Sequence, residues 1–136
     1  MRALLPLLLL AGPAGAEPLV TGGHLTLPYP GAPSAAAYVS LANPGGPDDA
    51  LTGASSPLAA EAMLHESVEA EGMMRMEPVG ALPLPADGAI VMAPGGLHLM
   101  LMGLEPMDEG DLLSLTLSFE SGATLALELP LSLPGG

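Results

Sequence analysis

Four side chains in this sequence have the types and spacing to do chemistry together: His65, Met76, His98 and Met100. The last two lie in Leu97-His98-Leu99-Met100-Leu101-Met102, where every second residue is leucine. In a strand, residues two apart share a face, so the leucines are expected to face a core. His98, Met100 and Met102 then face the other way. An imidazole and two thioethers on one face, without a charge among them, look like half of a metal site. Thioethers are soft, neutral and weak donors, and imidazole is borderline. That mixture suits Cu(I) and not Ca²⁺, Mg²⁺ or Mn²⁺, which take oxygen ligands. Zinc accepts histidine but is completed by carboxylate, thiolate or water. Methionine also survives an oxidising compartment, where paired thiolates risk closing into a disulfide.

The first two donors must be positioned by a hairpin. If Glu69-Ala70-Glu71-Gly72 is a four-residue loop on a type I turn, Gly72 takes the positive-φ position. Val68 then opposes Met73, His65 opposes Met76, and Glu66 opposes Arg75. Around this hairpin the sequence predicts strands at Leu19–Leu27, Ala36–Ala42, Leu58–Val68, Met73–Val79, Ala89–Met92, Leu97–Met102, Leu112–Glu120 and Thr124–Leu129. Leu113 to Phe119 has the cleanest alternation, with Ser114, Thr116 and Ser118 on the wet face. Short strands at this spacing, separated by Pro- and Gly-rich turns, favour a β-sandwich or barrel. A length of 136 residues implies one domain. Met63, Met73, Met74, Met92, Met102 and Met107 are expected as packing, with Met74 and Met102 extending an apolar, sulfur-rich surround. His24 has no evident partner and is expected to be structural or exposed.

Composition removes several classes of function. The net charge is −13, from 2 basic and 15 acidic residues. Nucleic acid and anionic membrane surfaces both require basic patches, so neither is expected as a partner. The chain has no cysteine, which excludes a disulfide scaffold, a zinc ribbon, an iron–sulfur centre and a blue-copper electron carrier. Residues 1–16 read as a secretory signal peptide. Arg2 supplies the positive start, Ala3 to Ala11 the apolar run, and Ala14-Gly15-Ala16 the small-residue cleavage site. The apolar run is too short to span a bilayer. Cleavage before Glu17 would leave residues 17–136 as an exported domain with no stable membrane insertion, and no cysteine follows the run to carry a lipid.

The donors stand as His65, ten residues, Met76, twenty-one residues, His98, one residue, Met100. This spacing resembles the PCu(A)C family of periplasmic copper chaperones. Further family-like pieces fall in order around it: Ala37-Tyr38 with Asn43, Ala54-Ser55-Ser56-Pro57, Gly72 to Met76 with Pro78, Pro94-Gly95-Gly96, and Gly110-Asp111. The resemblance covers roughly Ala35 to Leu131. It implies an all-β, cupredoxin-like Greek-key sandwich with one Cu(I) near the surface, bound by His65, Met76, His98 and Met100. It also implies copper delivery towards the binuclear centre of cytochrome c oxidase subunit II, directly or through a thiol-containing relay protein.

An enzyme is not expected. Ser67 and His65 share a strand face without a third orienting group, and neither paired acids nor a glycine-rich phosphate loop is present. A periplasmic copper-buffering or copper-resistance protein would use identical donors and differs only in having no acceptor. Imidazole binds metal only when neutral, so Cu(I) affinity is expected to weaken below about pH 6. Affinity that stayed constant from neutral to acidic pH would exclude imidazole ligation.

Overall fold

The computed structural model describes residues 18–132, which contain ten strands and no helix. The signal segment, residues 1–16, lies outside the described residues. The strands are β1 (Leu19–Thr26), β2 (Ser34–Ala42), β3 (Asp49–Ser55), β4 (Glu61–Ala70), β5 (Met73–Pro78), β6 (Leu82–Leu84), β7 (Ala89–Val91), β8 (Leu97–Met102), β9 (Leu112–Phe119) and β10 (Thr124–Ser132). They form one hydrogen-bonded path, β5-β4-β8-β2-β1-β10-β9-β3-β6, with β7 also on β2. The path folds back on itself at β1 and β10, which pair in parallel through Leu25↔Leu131 and Thr26↔Ser132. One layer is therefore β5-β4-β8-β2-β1 and the other β10-β9-β3-β6. Connections such as β2 to β3, β3 to β4 and β8 to β9 cross between layers, which makes the sandwich Greek-key in type.

The core between the layers is built mainly of leucine. Leu25, Leu99 and Leu101 from one layer, with Leu51, Leu84, Leu113 and Leu117 from the other, are fully buried. Burial is worth about 1.5–3 kcal/mol for each such side chain. Phe119 is the one aromatic residue in the buried cluster. Because alternate residues point inwards, the leucine parity of β8 fixes which face its other residues occupy. Asn43, buried at the end of β2, donates through Nδ2 to the carbonyls of Pro47 (2.8 Å) and Leu84 (3.1 Å). It thereby ties the Asn43–Asp49 turn to β6.

Two strands lie where no strand is expected. β3 is rich in small residues, and its ladder with β9 shifts register between Leu51 and Gly53. β6 is only Leu82-Pro83-Leu84. Both lack a long alternating pattern and gain their pairing from the neighbouring layer. β4 also starts later than expected and runs on to Ala70.

The hairpin between β4 and β5 differs from expectation as well. Its loop is two residues, because Glu71 (φ 55°) and Gly72 (φ 80°) both adopt left-handed backbone, as a type I′ turn demands. Ala70 therefore opposes Met73, Ser67 opposes Met76, and His65 opposes Pro78. Glu66 faces Glu77, not Arg75. Arg75 instead reaches Glu77 of its own strand, at 3.3 Å and in solvent. Since both strands shift by one residue, the parity survives: Met76 remains on the face of His65, as its diagonal neighbour.

Glutamate is a poor residue for left-handed backbone, and asparagine is a good one. Glu71→Asn should stabilise the protein by about 0.5–1 kcal/mol, read as a rise of a few degrees in Tm. A fall in Tm would contradict the two-residue turn.

Candidate metal centre

The outer face of the first layer carries the four donors, and the β4–β8 ladder sets their positions. That ladder pairs Met63 with Met100, Leu64 with Leu99, and His65 with His98. Bonds beyond both ends hold it in register, Ala60 N–H to Met102 C=O at 2.8 Å and Ser67 N–H to Gly96 C=O at 3.1 Å. At the first of these ends Gly103 has φ +64°, and a Cβ there would meet the Ala60 Cβ at 2.6 Å. A residue with a side chain would strain this corner twice over.

The turn before β8 orients His98. Pro94 and Gly95 occupy the middle of a tight turn in which Gly96 N–H donates to Ala93 C=O at 3.0 Å. Gly95 has φ +84°, the conformation that a type II turn requires after proline. The turn leaves the Gly96 carbonyl 3.2 Å from His98 Nδ1. A carbonyl only accepts, so Nδ1 carries the proton and the lone pair of the neutral ring sits on Nε2.

That Nε2 is buried and has no hydrogen-bond partner, and the same is true of His65 Nδ1. The two rings lie edge to face with centroids 5.9 Å apart. His98 is only 2% exposed although it points away from the leucine core. On its other side stands Tyr38, with centroids 6.3 Å apart. A buried, unpartnered ring nitrogen costs free energy, on the order of 1–3 kcal/mol. Two of them in neighbouring rings fit a ligand that accepts lone pairs, as a metal ion does. Among the described residues, no three His, Asp or Glu side chains gather to hold an ion.

Sulfur is at hand. Met100 shares the face and strand of His98, half-buried, and pairs on its far side with Ala36. A groove of about 250 Å³, lined by Thr26, Ser34, Ala36 and Met100, opens beside it. Met76 lies diagonally across from His65 on the edge strand β5 and is 57% exposed. The structure thus brings His65, His98 and Met100 together on adjacent strands, with Met76 at the rim. Met92 and Met107 are buried as packing, but Met73 and Met74 are exposed and do not pack. Met74 forms no apolar surround. His24 is exposed, with its ring centroid 5.1 Å from that of Tyr38. Met63, expected as packing, stands on the donors' face directly opposite Met100. Its parity with His65 was the available signal.

The sandwich matches solved PCuAC domains. The Cu(I) form of DR1885 from Deinococcus radiodurans is 34% identical, with a TM-score of 0.65 over 90% of this chain and 85% of that one. The copper-bound PCuAC domain of PmoF2 is 23% identical, with a TM-score of 0.70 over 86% of this chain and 93% of that domain, a likeness of fold. A family described as "Putative lipoprotein LpqE-like" matches residues 19–131. The chain belongs to this LpqE-like family, which is PCuAC-like, as the donor spacing implied. A curated relative, "Putative lipoprotein Lxx21020" of Leifsonia xyli subsp. xyli (strain CTCB07), is 37% identical over 97 residues. The match covers 70% of this chain and 58% of that protein, so the chain spans less than two thirds of the relative's length.

The tautomer of His98 can be read directly. Nitrogen-15 NMR of the metal-free protein at neutral pH should show the Nδ1–H form of this ring. The Nε2–H form would mean that the Gly96 carbonyl does not set it.

Proposed function

We propose that this protein is a non-enzymatic Cu(I) chaperone, binding one copper through His65, Met76, His98 and Met100 and passing it to an acceptor. The observation that carries the reading is the pair of buried, unpartnered imidazole nitrogens on directly paired residues, with thioethers on the same sheet face. A Cu(I)-bound relative at 34% identity supports copper as the cargo. In this reading residues 1–16 are the export signal and residues 17–136 the copper domain, working in the periplasm. The LpqE-like descriptions name lipoproteins; the present sequence has no cysteine to carry a lipid.

The chemistry of holding and releasing follows from the donor set. All four ligands are neutral, so the bound ion keeps its single positive charge and is not trapped by a compensating thiolate. The imidazoles come from interior strands and are held by the register, whereas Met76 comes from the edge strand and is exposed to solvent. An acceptor thiolate or imidazole approaching from that side displaces the weakest, outermost bond first. Thioether for thiolate is a downhill exchange for a soft ion. The proposed acceptor is subunit II of cytochrome c oxidase or a thiol-containing relay protein. Transfer to such an acceptor separates delivery from buffering or resistance.

Titration of the protein with Cu(I) against a chromogenic chelator should give one tight equivalent. His98→Ala and Met76→Ala should each weaken it, on the order of tenfold or more for the histidine. Absence of tight binding, or indifference to both substitutions, would overturn the assignment. Copper retained in the presence of the oxidase subunit and of dithiol relays alike would favour buffering.

A further inference from the structure

Met63 belongs to none of the family-like pieces of the sequence, yet it occupies a privileged place on the donor face. His65 pairs with His98, and Met63 pairs with Met100 on the next same-face rung of the ladder. The four side chains form a rectangle on two neighbouring strands, both of which are flanked by other strands. Directly opposed Cβ atoms lie about 4.5–5.5 Å apart and diagonal neighbours about 7–8 Å apart. Met63 is thus a direct neighbour of Met100, a diagonal neighbour of His98 and two residues from His65. Met76 is a diagonal neighbour of His65 alone, opposite Ser67, and its strand lies two strand spacings from β8.

Packing does not account for Met63. The core residue of this part of β4 is Leu64, 4% exposed, and Met63 has the opposite parity and lies outside the buried cluster. It is half-buried, and a groove of about 340 Å³ opens beside it, lined also by Ser55, Ser56, Ala60 and Glu61. An unbranched thioether with free space beside it can change rotamer to reach an ion.

Resting on the copper-binding reading above, we propose that Met63 is a further thioether donor, which holds Cu(I) with His65, His98 and Met100 when Met76 dissociates. The exchange balances simply. The Cu–S bond to Met76 breaks and the Cu–S bond to Met63 forms, one neutral thioether replaces another, and copper remains Cu(I). Met76 is then free to leave the ion open towards an acceptor without reducing its donors to three. The site has an interior resting set and an exposed exit ligand.

The test uses the full chain with Cu(I), labelled with ¹³C at the methionine methyl groups, and the variants Met63→Leu, Met76→Leu and the double variant. Leucine conserves volume and removes the sulfur. In the Met76→Leu protein, Cu(I) should shift the Met63 methyl resonance, and adding Met63→Leu should weaken binding a further tenfold or more. An unshifted Met63 methyl in Met76→Leu, or equal affinity of the single and double variants, would overturn the inference and leave the four-donor site intact. If the wild type fails to bind Cu(I), or His98→Ala binds as well as wild type, the copper reading itself fails and the inference with it. Should Met63→Leu fold poorly, the methyl shift in Met76→Leu decides alone.

Discussion

The pairing of β4 with β8 is the constraint on which the site depends. A slip of one residue in either strand would turn its outward residues into the core and its leucines to solvent. Leu99 and Leu101 are both fully buried, so such a slip would forfeit several kcal/mol of apolar burial. The hydrophobic core, on the opposite face of the sheet, therefore holds His65 against His98. The ladder is further fixed at both ends by backbone bonds from Ala60 and Ser67. The register thus fixes where each ring is rooted on the sheet, and each keeps one nitrogen free in a buried setting.

Leaving two buried nitrogens unpartnered is a local cost that the rest of the fold must offset. Each ring is treated differently. In His98 the Gly96 carbonyl occupies Nδ1 and so leaves Nε2 as the free nitrogen. That carbonyl is placed by the Pro94-Gly95 turn, so the apparently structural Pro-Gly-Gly stretch sets the chemistry of the ring after it. His65 has no such partner among the described residues. Its unpartnered atom is Nδ1, and its orientation comes from the T-shaped packing with His98. The two rings therefore leave different nitrogens unpartnered.

Most of this was legible in the sequence because period-two alternation reports faces directly. The leucine parity of residues 97–101 and the shared face of His98 and Met100 follow from the pleat alone. Whether the layers made a sandwich or a closed barrel did not follow from the strand pattern, and the PCu(A)C resemblance carried that choice. β3 and β6 were illegible because Gly53 and Pro83 break the pattern, and their pairing is decided by neighbours distant in sequence. The hairpin register was misjudged because Glu71 is an unfavourable residue for left-handed backbone, and local preference pointed to a longer loop. The pairing of β4 with β5 overrides that preference. Met63 was set aside as packing because the value of its position depends on the β4–β8 register, a long-range pairing that no local pattern encodes.

The same reasoning bears on how the proposed donors divide between interior and edge. In the proposed reading a metal carrier must hold its cargo against loss yet expose it to exchange, and rigid placement serves only the first need. Strands flanked on both sides are held by two ladders, and an edge strand by one. β4 and β8 are interior and carry both imidazoles and Met100; β5 is the edge and carries Met76 among the exposed Met73 and Met74. Opening the edge strand disturbs one thioether and leaves the two nitrogens where the leucine core placed them. In the proposed copper site, the donors on the interior strands would set retention and the thioether at the rim would set release, a division that matches the sheet order.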